Sequence, residues 1–373
     1  MNALFSPIKL RSVALPNRIM VAPMCQYSAV NGAANDWHFT HFTHINTLAL
    51  SGAAMFCIEA THVEAIGRIT PGCLGLWNDA TEAALKPILA SVRKHSKTAV
   101  AMQLAHAGRK GSSHTPWDGG QQIPLAEGGW QTEGPSAVPH KEGELAPLAL
   151  DALGLKRVRD AFVAAAKRAE RLGLDSLELH SAHGYLLHQF LSPISNKRTD
   201  QYGGSLQNRM RYPLEVFDAV RAAFPEQKPV GVKVSATDWV EGGWDLAQTI
   251  EFAKELKKRG VDWIDASSGG VSPLQKIPLS PGYQVPFAQG IKQATGVTTM
   301  AVGRITEAKQ AEDIVASGKA DMVALARGML YDPRWGWHAA AELGGEVEAP
   351  PQYWRSQPSN QKALFGATTF GTR

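Results

Sequence analysis

Eight short segments rich in apolar and β-branched residues recur along this chain, and most are separated by longer segments with helical periodicity. This alternation is typical of repeated strand–helix units whose strands form a parallel sheet. Eight units are the number that closes a (β/α)8 barrel, or TIM barrel. We therefore predict this α/β fold, with strands in the segments 18–24, 53–63, 98–104, 176–182, 230–236, 263–268, 298–303 and 322–327.

The length of 373 residues fits one barrel with additions, because barrels use more residues than an average domain. We expect a single barrel domain over residues 1–355 and a flexible tail over 356–373. Segment 105–150, rich in Gly, Pro, Ser and Trp, follows the third predicted strand, and a long loop there would cover the catalytic face. The aromatic residues after Asp332 predict a packed C-terminal extension.

Glycines end several of the predicted helices. Gly173, Gly260 and Gly318 each follow a segment with apolar residues at helical spacing, which is the position of a C-terminal helix cap. Thr306 is predicted to cap the N-terminus of the helix that Gly318 ends.

Charge and cysteine content exclude several classes of protein. The net charge is +4 and no run of five like charges forms a basic arm, so we expect no nucleic-acid partner. The longest apolar run, 48–58, is shorter than the ~20 residues of a membrane span, and the first residues lack the order of a secretory signal. Three cysteines without a CxxC pair fit a reducing compartment, so we expect a cytoplasmic enzyme.

Two histidines and a tyrosine lie within six residues at the end of the fourth predicted strand. His180, His183 and Tyr185 surround Gly184, which permits a sharp exit from the sheet. If the strand breaks between the histidines, both imidazoles can face the barrel mouth and stabilise an oxyanion, with Tyr185 as a proton source. Packing at the rim and a metal site are the alternatives. No third ligand is evident at an adjacent strand end, so we predict no metal.

Polar groups also end the first and third predicted strands. Cys25 and Tyr27 follow the first strand, and Gln103 ends the third. Taken alone, Cys25 is more often a small buried apolar residue and Gln103 more often bonds loop backbone. Because the C-terminal ends of barrel strands converge, we predict that these groups share one site with the histidines.

Three of the last four strands, the fifth, seventh and eighth, suggest an anionic ligand. On the fifth strand the valines at 230, 232 and 234 should face the helices, so Lys233 should point into the barrel and needs an anionic partner there. A lysine that extends to the rim is the alternative. Arg304 and Arg327 follow the seventh and eighth strands beside Gly303 and Ala326, a pattern typical of phosphate binding, although solvated arginines would have the same pattern. An FMN-like ligand would satisfy both features.

Three motifs together resemble the Old Yellow Enzyme family of FMN-dependent ene reductases. They are His180-Ser-Ala-His-Gly-Tyr185 followed by Ser195-Asn-Lys-Arg-Thr-Asp-Gln-Tyr-Gly-Gly-Ser-Leu-Gln-Asn-Arg209, Pro23-Met-Cys-Gln-Tyr27, and Gln103-Leu-Ala-His-Ala-Gly-Arg109. The resemblance extends over nearly the whole chain. The cysteine at 25 and the segment Gln352-Tyr-Trp-Arg355 are similar to the bacterial thermophilic-like subclass, which includes the xenobiotic reductases.

The resemblance implies a tightly bound, non-covalent FMN, with NADPH or NADH as the reductant. The residues that it implies as contacts of FMN are Pro23, Met24, Cys25, Ala60, Gln103, Lys233, Val302, Gly303, Ala326 and Arg327. Two of them depart from the family pattern. Lys233 stands where an arginine is usual, and Ala326 stands where a glycine often precedes the arginine of the phosphate site.

The resemblance also implies how substrate is held. His180 and His183 would bind a substrate carbonyl, Tyr185 would donate a proton, and Tyr27 would add a second hydrogen bond. In this subclass an arginine from the neighbouring subunit enters the active site, and Arg355 is the matching position. A homodimer or a higher homo-oligomer is therefore implied.

The implied reaction is the NAD(P)H-dependent reduction of the activated C=C bond of an enone or related α,β-unsaturated carbonyl compound. Compounds in which a nitro group activates the C=C bond are implied as further substrates. Hydride would pass from NAD(P)H to FMN and from its N5 to the β carbon, while Tyr185 protonates the α carbon. A barrel enzyme of another chemistry, such as a metal-assisted aldolase or hydrolase, and a non-catalytic flavin-binding protein are the alternatives. A dienoyl-CoA reductase would need an iron–sulfur cysteine cluster, which three scattered cysteines cannot supply.

Overall fold

Eight parallel strands close into a barrel in the computed structural model, which describes residues 2–39 and 44–368. The strands of the described residues are β1 Ile8–Leu10, β2 Val13–Leu15, β3 Ile19–Val21, β4 Met55–His62, β5 Ala99–Ala105, β6 Glu133–Gly134, β7 Leu148–Ala149, β8 Ser176–Ser181, β9 Val230–Ser235, β10 Trp263–Ser267, β11 Thr299–Ala301 and β12 Met322–Leu325. Around the barrel the order is β3-β4-β5-β8-β9-β10-β11-β12, and β12 pairs with β3. Each barrel strand overlaps one predicted segment, so the predicted fold is confirmed.

Helices connect the strands and surround the barrel. They are α1 Asp36–Phe39, α2 Ile45–Ala49, α3 Asp79–His95, α4 Ala152–Arg171, α5 Leu186–Leu191, α6 Leu206–Ala223, α7 Leu246–Lys258, α8 Val285–Thr295, α9 Ala308–Ala316, α10 Arg327–Tyr331 and α11 Trp335–Leu343. In α4 the buried residues recur every three or four positions, so one face of this helix packs on the barrel. None of the helices in the described part of the chain is both long and apolar enough to cross a membrane.

The helix ends agree with the sequence except at α9. Gly173, Gly260 and Gly318 follow helices and adopt φ values of +74°, +80° and +74°, as predicted for C-terminal caps. Thr306 was expected to cap α9, but the helix begins at Ala308, and the preceding Glu307 makes no side-chain cap. Thr306 instead donates its backbone N–H to the side chain of Gln310 at 3.2 Å. The prediction was wrong by one residue, because Glu307 occupies the N-cap position and Thr306 precedes it.

Apolar side chains fill the N-terminal half of the barrel interior. They form a buried cluster that includes Met20, Met55, Trp263, Met300 and Met322. The antiparallel hairpin of β1 and β2 covers this end of the barrel, and its Leu10 and Leu15 belong to the same cluster. The opposite end has polar side chains, and the loops that follow the strands gather there.

The long loop after the third barrel strand is present. Between β5 and α4 the chain forms three short 3-10 helices, Gly108–Lys110, Pro116–Asp118 and Leu125–Glu127, and the two-residue strands β6 and β7. Because this loop leaves the C-terminal end of β5, it lies over the polar end of the barrel, as predicted.

The aromatic residues of the C-terminal extension pack on one another. The ring of Trp337 in α11 contacts those of Tyr353 and Phe365, with centroids 5.8 and 4.9 Å apart, and the guanidinium of Arg334 lies over it. Leu364 and Phe365 are buried. The packing therefore includes part of the segment 356–373 that we predicted to be a tail, whose residues 369–373 lie outside the described residues.

Gly231 on β9 generates a prediction about stability. A Cβ at this position would lie 1.9 Å from the indole ring of Trp263, inside the barrel. We expect Gly231→Ala to lower the free energy of unfolding by about 3 kcal/mol, because a close-packed interior cannot move a buried indole aside. Urea unfolding measures the change. The matched control is Gly328→Ala, where a Cβ meets nothing closer than 3.7 Å, and a similar loss there would contradict the explanation.

Candidate active site

The predicted site residues lie at the C-terminal end of the barrel. Residues on or directly after seven of the eight barrel strands contribute to this end, namely Pro23, Met24, Cys25 and Tyr27 after β3, Ala60 on β4, Gln103 on β5, His180 on β8, Lys233 on β9, Val302 and Gly303 after β11, and Ala326 and Arg327 after β12. Arg327 begins α10 and is exposed. The barrel thus gathers segments that are far apart in the sequence.

The turn after β8 places His180, His183 and Tyr185 together. The ring of His180 lies 5.0 Å from that of His183 and 4.9 Å from that of Tyr185, with both pairs edge to face. His183 has a φ of +57°, in the left-handed region that residues with side chains seldom adopt. Gly184 follows with a φ of +73°, and a Cβ there would lie 2.1 Å from the carbonyl oxygen of Gly270. Only glycine permits this approach of the two loops.

Four hydrogen bonds hold this turn. The backbone N–H of His183 donates to Ser235 Oγ at 2.9 Å, and its Nε2 lies 2.8 Å from Ser267 Oγ. Lys110 Nζ donates to the carbonyl oxygens of His183 and Gly270, both at 2.9 Å. The unfavourable backbone of His183 is therefore fixed by neighbours from three other segments.

His180 and His183 are both neutral, and each ring has one N–H group. His180 Nδ1 accepts a hydrogen bond from the backbone of Ala182 at 3.2 Å, so we assign the proton to Nε2, which lies 3.3 Å from His183 Nδ1. His183 then carries its proton on Nε2. Burial lowers the pKa of both histidines well below the ordinary value, and the Lys233 cation lowers it further. At neutral pH the two rings are N–H donors without charge.

A third histidine, His188, is buried and supports the same turn. His188 Nδ1 accepts from the backbone N–H of Gly184 at 2.9 Å, and its Nε2 lies 2.9 Å from Asp238 Oδ1. Asp238 also accepts from Ser192 Oγ at 2.6 Å and from the backbone of Trp244 at 2.7 Å. Because every residue in this series of hydrogen bonds is buried, the turn that carries His183 and Tyr185 has a rigid base.

Two phenols and a thiol lie beside the histidines. Cys25, Tyr27 and Tyr185 pack around an apolar cluster that contains Cys73. Burial raises the pKa of Cys25 and of Tyr185 well above their ordinary values, so both remain protonated at neutral pH. A protonated Cys25 is a poor nucleophile. Tyr185, whose ring centroid lies 5.1 Å from Lys110 Nζ, keeps a proton that it can donate.

Lys233 points into the barrel, as strand alternation predicts, and its anionic partner is Asp265 on β10. Burial alone would lower the pKa of Lys233, but Asp265 and Glu178 outweigh that effect and raise it. Glu178 accepts from Gln103 Nε2 at 2.8 Å and from the indole N–H of Trp263 at 3.2 Å. The interior beneath the histidines is therefore a network of one cation, two carboxyl groups and two neutral donors.

Several of these residues were not predicted from the sequence. Glu178 lies two positions before His180, and Asp265 lies two before Ser267, so strand alternation already places each carboxyl group on an inward face. Lys110 has no such signal. It belongs to the long loop, and its contacts with His183 depend on how that loop folds.

Comparisons with known proteins give the family. Residues 3–345 match the NADH:flavin oxidoreductase / NADH oxidase family. The chain is 42% identical over 358 residues to an NADPH dehydrogenase of Listeria innocua, which covers 95% of this chain and 99% of that protein. It is 42% identical over 366 residues to an NADH:flavin oxidoreductase of Gibberella zeae, with 93% and 87% covered. Among solved structures, morphinone reductase superposes with a TM-score of 0.75 at 27% identity, covering 94% of this chain and 91% of that one.

This chain belongs to the Old Yellow Enzyme family. It is therefore an FMN-dependent oxidoreductase that takes electrons from a nicotinamide dinucleotide. Family membership decides against the aldolase, the hydrolase and the non-catalytic protein that the sequence pattern alone left open.

The site of this Old Yellow Enzyme relative has groups that fit FMN. A buried Lys233 supplies positive charge inside the mouth of the barrel, where the electron-rich edge of a flavin ring needs it. At the predicted phosphate end Gly303 has a φ of +116°, which only glycine adopts readily, and a Cβ there would lie 2.8 Å from the side chain of Gln284. Arg327 begins α10 at the end of the neighbouring strand, whereas Arg304 donates to the carbonyl of Leu279.

One group of potential metal ligands lies among the described residues, away from the histidine pair. Ligand atoms of Glu64, His106 and Glu133 come within 4.8 Å of one another. Arg157 pairs with both carboxylates, and His106 Nδ1 accepts from the backbone of Gly108 at 3.0 Å, which assigns a proton to Nε2. A protonated nitrogen cannot bind a metal, so these residues form an internal ion-pair network.

The buried ion pair of Lys233 leads to a prediction about stability. We expect Lys233→Met to lower the free energy of unfolding by about 3–5 kcal/mol, because Asp265 is left as a buried charge without its partner. The double substitution Lys233→Met with Asp265→Leu should recover most of that loss, and Lys233→Arg keeps the charge as a control. Urea unfolding of all three decides the point. A single substitution that costs less than about 1 kcal/mol would contradict the ion-pair explanation.

Glu178 should make stability depend on pH. Burial and the nearby Asp265 raise the pKa of Glu178 to about 7. Because that value lies above the pKa of an unfolded carboxyl group, the folded state holds a proton that the unfolded chain releases, and the free energy of unfolding falls as pH rises from about 4.5 to 7.

We therefore expect Glu178→Gln to gain at least about 1 kcal/mol relative to the parent between pH 5 and pH 8, since one pKa unit corresponds to that order of energy. Urea unfolding at several pH values measures it. Glu142→Gln, at an exposed position, is the control, and parallel profiles for the parent and both variants would refute the assignment.

Proposed function

We propose that this enzyme reduces the activated C=C bond of α,β-unsaturated carbonyl compounds and of nitroalkenes. The observation that carries the proposal is the neutral pair His180 and His183 beside a protonated Tyr185. Such a reduction needs donors for an oxygen that becomes negative and a proton for the neighbouring carbon. Bound FMN supplies the remaining chemistry, hydride transfer from N5 to the β carbon.

The histidines bind the oxygen of the substrate. As negative charge develops there, fixed N–H donors stabilise it by about 3 kcal/mol each. In the free enzyme these donors are directed at Ser267 Oγ and at the second histidine ring, so the substrate oxygen replaces both contacts. Ser267 Oγ keeps its hydrogen bond to Gln284 Oε1, at 3.4 Å.

Tyr185 donates the proton to the α carbon. Its raised pKa keeps the phenol protonated until a strong base, the enolate carbon, is within reach. The Lys110 ammonium group near the ring favours the phenolate that remains, and so limits the cost of giving up the proton. Tyr27 adds a second hydrogen bond to the substrate.

We also propose the thermophilic-like or xenobiotic reductase subclass, a cytoplasmic location and a homodimer. The support is the Cys25 motif together with the segment from Gln352 to Arg355. Arg355 is exposed on the 3-10 helix Pro351–Ser356, where it can reach a second copy of the chain. NADPH is the proposed reductant, because several relatives carry the name NADPH dehydrogenase.

The two half-reactions test this function. In His180→Ala and His183→Ala we expect FMN to stay bound and alkene reduction to slow about 10²–10³-fold per donor removed. Tyr185→Phe should slow alkene reduction and leave flavin reduction by NADPH largely intact, because only the second step needs the proton. Stopped-flow absorbance of the flavin, with 2-cyclohexenone as the acceptor, measures both steps.

His338→Ala, at an exposed position on α11, is the matched histidine control and should behave as the parent. Unchanged alkene reduction in a histidine variant that retains FMN would refute the role of the pair. Equal slowing of both half-reactions in Tyr185→Phe would refute the role of the proton donor.

A further inference from the structure

An exposed tryptophan stands beside the proposed substrate site. Trp117 lies in the long loop after β5, and 67% of its surface is exposed although its indole is apolar. Its ring contacts that of Tyr27 edge to face, with centroids 5.6 Å apart. Nothing in the packing of the barrel requires an indole at this point.

The loop holds Trp117 in a defined position. The segment around it folds back on itself, because the backbone of His114 donates to Gln121 at 2.9 Å and that of Gly120 donates to Thr115 at 3.0 Å. Thr115 Oγ1 also donates to Asp118 Oδ2 at 2.5 Å across the tip. The well-bonded turn fixes the backbone that carries the indole, so little backbone entropy is lost when a ligand binds to it.

Tyr27 connects this indole to the interior of the site. Its φ of +53° is unfavourable for a residue with a side chain, and its ring packs with Cys25 and Tyr185 around the same apolar cluster. A second exposed indole lies nearby, since Trp37 Nε1 donates to the side chain of Gln26 at 3.0 Å. Two exposed indoles therefore contact residues 26 and 27, next to the apolar cluster that also contains Tyr185.

We infer that Trp117 and Tyr27 form an outer subsite that binds an aryl group on the β carbon of the substrate. This inference rests on the proposed alkene reduction. Aromatic rings in edge-to-face or offset contact attract one another beyond the burial of their surface, and a phenyl group would cover apolar area that the free enzyme exposes to water. The enzyme thereby prefers aryl-substituted enals and enones to short aliphatic ones.

The experiment compares two substrates in the FMN-bound enzyme, trans-cinnamaldehyde and trans-2-butenal, which differ only by phenyl or methyl on the β carbon. In Trp117→Ala we expect the KM for cinnamaldehyde to rise about fivefold to tenfold, the size of one ring–ring contact, with a small change in kcat. The KM for 2-butenal should change by less than about twofold, because methyl does not reach the indole. Trp117→Phe should retain most of the preference.

Leu153→Ala on α4 is the matched control, since that leucine is 77% exposed and lies outside the long loop. A binding measurement accompanies the kinetics, namely the dissociation constant of the unreactive 3-phenylpropanal by calorimetry, with butanal as its aliphatic pair. Weaker binding of 3-phenylpropanal alone in Trp117→Ala supports the subsite even if the parent reduces neither aldehyde, a result that would refute the proposed function.

Two outcomes overturn the inference. Equal effects on the phenyl and methyl compounds would mean that Trp117 supports the whole pocket rather than an aryl group. A change of oligomeric state in Trp117→Ala, measured by light scattering and accompanied by losses for both substrates, would mean that the indole belongs to an interface between copies of the chain.

Discussion

The active end of this barrel depends on an ion pair buried inside it. Lys233 and Asp265 face each other on neighbouring strands, and the second carboxyl group, Glu178, is held by Gln103 and the indole of Trp263. Burying three ionisable groups costs free energy unless each has partners, so the four strands that carry these groups and their partners must keep their register. Burial of the apolar layer of methionines and Trp263 at the other end of the barrel offsets the free-energy cost of this polar layer.

This network also affects the protonation of the groups above it. Burial lowers the pKa of His180 and His183 and the Lys233 cation lowers it further, so both rings are neutral N–H donors. The strained backbone of His183 is maintained by Ser235, Ser267 and Lys110, which come from two strands and a loop. Because the backbone that carries these donors is fixed, they need no reorganisation during the reaction once the substrate oxygen has replaced their contacts, and that is the main source of their effect on rate.

The sequence predicts the barrel well because local patterns determine each strand and helix. Alternation on β9 placed Lys233 inside, and the spacing of His180, His183 and Tyr185 placed them at one turn. Partners across strands were harder to predict, since Glu178 and Asp265 are 87 positions apart and meet Lys233 only once the strand register is known. Lys110 and Trp117 were not predicted at all, because their positions depend on turns and hydrogen bonds within a loop that has no periodicity.

The residues that carry the chemistry lie on strand ends, whereas the residue that we infer to determine selectivity lies in the long loop. Residues on strand ends, such as His180 and Lys233, are fixed by the barrel and can change only at a cost to its register or its buried charges. Trp117 makes its ring contact with Tyr27 from a solvated turn, so another residue there would alter the surface that a substrate meets and leave the buried network intact. A barrel of this design can therefore keep one way of activating a carbonyl group, while its long loop determines which substituents on the carbonyl compound the site accepts.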